Sequence, residues 1–167
     1  MKLRLLIPVL CLSFLFACNN SSDDKEKKDE NAMNHDGMDH PPVTEGVPPL
    51  PEIPEGAKVV FSNLKNKSTI TSPFKLQMGV EGMKIDTAGP VVIGSGHHHL
   101  IIDGPDSLAA GSVVPKDSVN IHFGKGQTEY ELNLTPGTHK LTLQLADGLH
   151  RSYGGRLSAT VIVNVRE

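Results

Sequence analysis

Gly96-His97-His98-His99-Leu100-Ile101-Ile102-Asp103-Gly104 is the stretch from which the fold can be read. Three histidines run into three apolar residues, and Asp103-Gly104 closes the run as a turn. A short apolar run bounded by a turn signal predicts a buried strand. Strand side chains alternate between faces, so His97 and His99 share one face, roughly 7 Å apart, and His98 takes the other. Leu100, Ile101 and Ile102 are all apolar, so the run does not say which face is inward. Two imidazoles on one face can hold one metal ion if a third or fourth ligand arrives from elsewhere.

Outward from this stretch, alternating apolar patterns recur. Lys58-Val59-Val60-Phe61-Ser62 predicts a first strand, and Phe74, Leu76, Met78 and Val80 alternate in a second. The histidine run is the third. Val119, Ile121 and Phe123 make a fourth, and Gly124-Lys125-Gly126 a short hairpin loop. Tyr130, Leu132 and Leu134 make a fifth; His139, Leu141, Leu143 and Leu145 a sixth. After a turn at Asp147-Gly148, Leu157 through Val165 forms a seventh. No segment sustains a helical period. About seven short strands over residues 56–167 predict an all-β, immunoglobulin-like sandwich.

That fold gathers the histidines. The connections between strands two and three, four and five, and six and seven lie at one end of such a sandwich. His97, His122, Asp147 and His150 all fall at those connections. The candidate metal ligands are therefore His97, His99 and His150, with His122 and Asp147 as further ligands or as partners that orient a ligand imidazole. The inward pattern of Val119, Ile121 and Phe123 turns His122 outward. On a facing sheet about 10 Å away it reaches a shared site only if its strand end bends or the hairpin folds over. His139 shares the inward face with Leu141, Leu143 and Leu145, in the corner Leu134-Thr135-Pro136-Gly137-Thr138-His139. A Tyr in such a corner bonds back to nearby backbone, and an imidazole can do the same, so His139 is expected to be structural. His98 is expected to be a structural core histidine. Against any metal, neutral histidines at one end can bond to one another and to Asp147.

The start of the chain has a different character. Lys2 and Arg4 precede an apolar run, Leu5 to Phe16, too short to span a bilayer, so residues 1–17 read as a signal peptide. Leu15-Phe16-Ala17-Cys18 resembles a lipobox, which implies cleavage before Cys18 and its lipidation. The address expected is the bacterial cell envelope: the periplasmic side of the outer membrane, or the cell surface. Cys11 leaves with the leader and lipid consumes Cys18, so thiolate metal sites, CxxC redox chemistry and cysteine nucleophiles are excluded. Residues 18–55 are expected to be a disordered tether. Asn19 to Glu30 has no apolar residue, and Pro41 to Pro54 is a proline-rich, semi-stiff spacer. Between them Met33, His35, Met38 and His40 offer thioether and imidazole donors, a set that suits copper; the bland reading is a polar linker.

Charge follows the same division. Asn19 to Glu55 holds ten acidic residues against three lysines, whereas Gly56 to Glu167 holds nine against eleven basic. There is no basic stripe or aromatic platform for nucleic acid. Gly124-Lys125-Gly126-Gln127-Thr128 lacks the spacer and helix of a phosphate loop, and no serine sits in a nucleophile elbow.

Four motifs in order, Gly96 to Gly104, His122-Phe123-Gly124-Lys125-Gly126-Gln127-Thr128-Glu129, Pro136-Gly137-Thr138-His139 with Leu141 and Leu143, and Asp147 to His150, resemble the bacterial family known as domain of unknown function four-three-nine-nine. Met78-Gly79-Val80-Glu81-Gly82-Met83 resembles its second strand. The resemblance implies an exported β-rich domain and brings no activity with it. Two functions remain open. One is a lipid-anchored envelope protein binding copper or zinc through its histidines, without catalysis. The other is an immunoglobulin-like module that binds an envelope protein or glycan, its histidines structural. A metal-assisted hydrolase would need an open coordination position and a general base, for which Glu129 or Asp147 could serve, and no spacing pattern supports it.

Overall fold

The computed structural model describes residues 46–166. The leader, Cys18 and the Met33, His35, Met38 and His40 cluster lie outside the described residues. The described residues form nine strands: β1 (Lys58–Phe61), β2 (Ser68–Thr71), β3 (Phe74–Glu81), β4 (Lys84–Ile85), β5 (Ser95–Ile102), β6 (Asn120–His122), β7 (Glu129–Leu132), β8 (Gly137–Ala146) and β9 (Ser158–Arg166). A 3-10 turn at Gly154–Leu157 precedes β9. Seven of these are the strands expected from hydropathy. β2 and β4 are added: β2 carries one apolar residue, Ile70, and β4 has only two residues, so neither shows an alternation.

Two sheets face each other. The smaller has the order β1-β3-β7 and the larger β2-β9-β8-β5-β4, with β6 also on β5. One result differs from the expected topology. β6 joins β5 in the larger sheet, with His99 opposite His122, instead of pairing with the strand that follows it. The hairpin expected at Gly124-Lys125-Gly126 therefore becomes a crossing from one sheet to the other, since β7 pairs with β3.

The core lies between the sheets. Leu76 and Met78 from β3 meet Leu100, Leu141, Leu143, Leu145 and Val163 from the larger sheet. Opposed residues of an antiparallel pair share a face. The pairs His98–Leu145 and Leu100–Leu143 thus put His98 on the core face. The pairs His97–Ala146, His99–Gln144 and Ile101–Thr142 put the other histidines on the opposite face. That face is also covered. The connection after β5 and the segment before β9 lie across it, held by Gln144. Its Oε1 accepts from Leu108 N at 3.0 Å, and its Nε2 donates to the Gly154 and Leu157 carbonyls, each at 3.1 Å. β5 is consequently buried along both faces, which is why its apolar run Leu100-Ile101-Ile102 shows no alternation.

The folded unit begins earlier than Gly56. Among the described residues it takes in the proline-rich segment, whose Leu50 and Ile53 pack against the core. Arg151 Nη1 donates to the Pro48 carbonyl at 2.6 Å. This stretch of the expected tether is a strap on the domain. Leu50 and Ile53 dock it together with Arg151, and the proline-rich composition of the segment concealed this.

Leu100 is fully buried, whereas Ile162 on β9 is 43% exposed. Leu100→Ala is expected to cost about 2–5 kcal/mol in urea unfolding, and Ile162→Ala no more than about 0.5 kcal/mol. Equal losses would refute the assignment of faces.

Candidate metal centre

Four imidazoles meet at one end of the larger sheet. His97 and His99 stand on the outer face of β5 and are buried, at 0% and 2% exposure. His122, from the edge strand β6, stands directly beside His99. His150 comes from the connection between β8 and β9. The ring centroids of His97 lie 4.9, 5.0 and 5.0 Å from those of His99, His122 and His150. His122 and His150 are 4.7 Å apart. The sequence reading held His122 back because it assigned β6 to the facing sheet. Pairing of β6 with β5 removes that obstacle: no strand bend is needed, since the outward face of β6 continues the outward face of β5.

Local chemistry sets each ring. Gly124 follows His122 by two residues, and a Cβ there would collide with the His122 imidazole. The glycine lets the ring fold over the chain end. The loop before β5 bridges both rim segments: Ala88 N donates to the Gly124 carbonyl and Gly89 N to the Gly148 carbonyl, each at 2.9 Å. His150 sits in the left-handed region at φ 64°. A non-glycine residue held there stores strain of about 1–3 kcal/mol, a cost that clusters at functional sites.

Asp147 provides the restraint. Its Oδ1 accepts from Leu149 N at 3.0 Å and Arg151 N at 2.9 Å, and its Oδ2 from Arg151 Nε at 2.8 Å. Arg151 Nη2 adds a contact at 2.6 Å. Both carboxylate oxygens are committed to the turn and to Arg151, so Asp147 shapes the loop that carries His150 and stands outside the nitrogen cluster. Sequence reasoning missed Arg151, Gly124 and the strained His150. The four-residue spacing of Asp147 and Arg151 was the only available signal for the first.

The nitrogens converge. His97, His122 and His150 each offer a ligand atom within 4.8 Å of the other two. His97 Nε2 lies 3.1 Å from His99 Nε2, and His122 Nε2 lies 3.1 Å from His150 Nε2. Two nitrogens about 2.1 Å from one tetrahedral ion stand roughly 3.4 Å apart. Each close pair therefore matches two ligands of one ion, or an N–H···N hydrogen bond if one ring carries its proton on Nε2. The buried Nδ1 atoms of His97 and His99 have no hydrogen-bond partner among the described residues. Every neutral imidazole carries one N–H, so some polar capacity of this buried group stays unmet by the protein alone.

Burial favours the neutral form of His97, His99 and His122. Burial, reinforced by His150 and His122, lowers the His97 pKa to about 4. Burial and the same neighbours, His97 foremost, lower His99 to about 3. Burial, then His150 and Lys116, lowers His122. Neutral imidazole is the form that binds a metal. The site is graded in access: His97 and His99 form a buried floor, His150 is half-buried and His122 is exposed.

The remaining histidines among the described residues lie elsewhere. His98 faces the core, where neither ring nitrogen has a partner among the described residues, and burial alone lowers its pKa to about 4. His139 is at the far end of β8. Its Nδ1 lies 2.8 Å from Asp103 Oδ2 and its Nε2 3.0 Å from the Thr135 carbonyl. Both nitrogens face oxygen partners, so the ring is a pin between two corners and is turned away from the cluster.

Two expectations follow. His97, His98 and His99 have folded pKa values of about 4, 4 and 3, below the ordinary 6.5. Protonation then favours the unfolded chain, so the metal-free protein holds its full stability above pH 6.5 and loses it as pH falls toward 4. Each imidazole contributes a slope of up to about 1.4 kcal/mol per pH unit. Urea midpoints at pH 7 and pH 5 check this, and equal values would refute it. Gly124→Ala is expected to displace His122 and shift its ring resonances in NMR while those of His139 stay.

A family model described as Domain of unknown function (DUF4399) matches residues 76–166. The matched span runs from within β3 through β9 and contains all four clustered histidines, Asp147 and Arg151. No curated protein and no solved structure matches the chain. On this match over more than half its length, the chain belongs to the DUF4399 family of domains of unknown function.

Proposed function

We propose that this protein is a lipid-anchored component of the bacterial cell envelope that binds one transition-metal ion at the His97, His99, His122 and His150 cluster. The observation that carries the reading is the convergence of His97, His122 and His150, from three separate segments, within 4.8 Å. An all-imidazole donor set suits zinc or copper and offers nothing to calcium or magnesium, which take oxygen ligands. The graded access supports storage, buffering or delivery without catalysis: three rings are held by the fold, and the exposed His122 lets an ion enter and leave. The lipobox at Cys18 supports attachment to the membrane. Met33, His35, Met38 and His40 form a second, softer site that exchanges copper with the first.

Metal titration on two untagged chains, Asn19–Glu167 and Thr44–Glu167, tests this. The shorter chain is expected to hold one equivalent of copper(II) or zinc(II). It should gain about 2.7 kcal/mol of stability at a free metal concentration a hundredfold above Kd. The double variant His97→Ala, His99→Ala should lose binding with its far-UV spectrum unchanged. Binding by the longer chain alone would move the function to the tail. Binding by neither would sink the metal reading and favour a protein or glycan partner.

A further inference from the structure

Arg151 joins three parts of the molecule. Its Nε and Nη2 engage Asp147, which is itself fully buried. Its Nη1 donates to the Pro48 carbonyl at 2.6 Å, and Nη2 also approaches the Pro49 carbonyl at 3.4 Å. Asp147 in turn holds the backbone of Leu149 and of Arg151, the residues on either side of His150. The backbone of His150 is tied on both sides: its N–H donates to the Asp147 carbonyl, and its carbonyl accepts from Val114 N, each at 2.9 Å.

The consequence is mechanical. A left-handed conformation at His150 persists only while its surroundings over-determine it. The planar guanidinium reaches Asp147 with one edge and the Pro48-Pro49 carbonyls with the other, a geometry that a lysine ammonium on its flexible stem cannot reproduce. Only the strap's backbone carbonyls are used, so the contact reads the strap's position and ignores its side chains. Strap, Arg151, Asp147 and His150 form one contiguous chain of bonds.

We infer that Arg151 is a positioning residue that couples the histidine cluster to the docked Pro48-Pro49 strap, so that undocking the strap loosens His150 and weakens metal binding. The inference rests on the metal reading of the cluster. By reciprocity, an ion bound at His150 holds the strap down by the same factor. Pro48 follows directly on the segment that leads toward the membrane anchor proposed above. A pull on that segment would favour release of the ion, and metal loading would resist the pull.

The test uses the full chain with Arg151→Lys, which keeps a cation beside Asp147. It also uses the double variant Pro48→Gly, Pro49→Gly, which leaves the guanidinium intact and loosens the strap. Zinc(II) affinity is measured by competition titration. Both are expected to bind about 10-fold more weakly, the lower end for loss of a partner that orients a ligand. Neither should lower affinity further when His150→Ala is already present, since the effect passes through that ring. Wild-type affinity in either variant, or an undiminished loss in the His150→Ala background, would overturn the coupling. A second readout separates this inference from the metal reading. In metal-free protein, Arg151→Lys should shift the ring resonances of His150 and leave those of His139 in place. If the wild-type chain binds no zinc(II) or copper(II), the metal reading fails, and unchanged His150 resonances then overturn the positional coupling as well.

Discussion

Pairing of β5 with β8 is the constraint on which the rest depends. It sets His98 opposite Leu145 and Leu100 opposite Leu143, and so sends His97 and His99 to the far face. A slip of one residue would exchange those faces, driving two histidines into the core in place of one and expelling Leu100. Leu100, Leu141, Leu143 and Leu145 are each fully buried, and together they make such a slip costly. The cluster on the outer face is thus held by apolar contacts on the inner one.

Burial of so many neutral histidines works against stability, and the fold accepts it in a particular way. β5 is covered on both faces, so His97 and His99 lose water without gaining partners for their Nδ1 atoms among the described residues. A protein selected for stability alone would put apolar residues at such positions. The strained His150, the Cβ-free cradle of Gly124 and the buried Asp147, paired with half-buried Arg151, add further costs at the same end of the sheet. Costs concentrated in one place, around nitrogens that already converge, are what a binding site accepts in exchange for a preformed geometry.

Much of this was legible before the fold was known. Alternation at Phe74, Leu76, Met78 and Val80, and at Leu141, Leu143 and Leu145, identified strands because a half-buried strand imposes a period of two. His97, His122 and His150 were recognised as candidates from their places at strand ends, and His99 because it shares a strand face with His97. The partner of β6 was not legible. Three residues, Asn120–His122, can pair with either neighbour, and the choice rests on contacts distant in sequence. Nor was the docking of Leu50 and Ile53, because a proline-rich composition signals stiffness and says nothing about where two isolated apolar residues land.

The amino-acid sequence by itself determined the all-β class, the seven main strands and the positions of the histidines, since periodicity and turn chemistry are local properties. Tertiary structure alone decided which histidines meet. Sheet membership placed His122 beside His99, register placed His98 in the core, and the Asp147–Arg151 pair turned a candidate ligand into a brace. Each of these outcomes depends on long-range pairing, in which a residue's role is set by what lies opposite it and not by its neighbours along the chain.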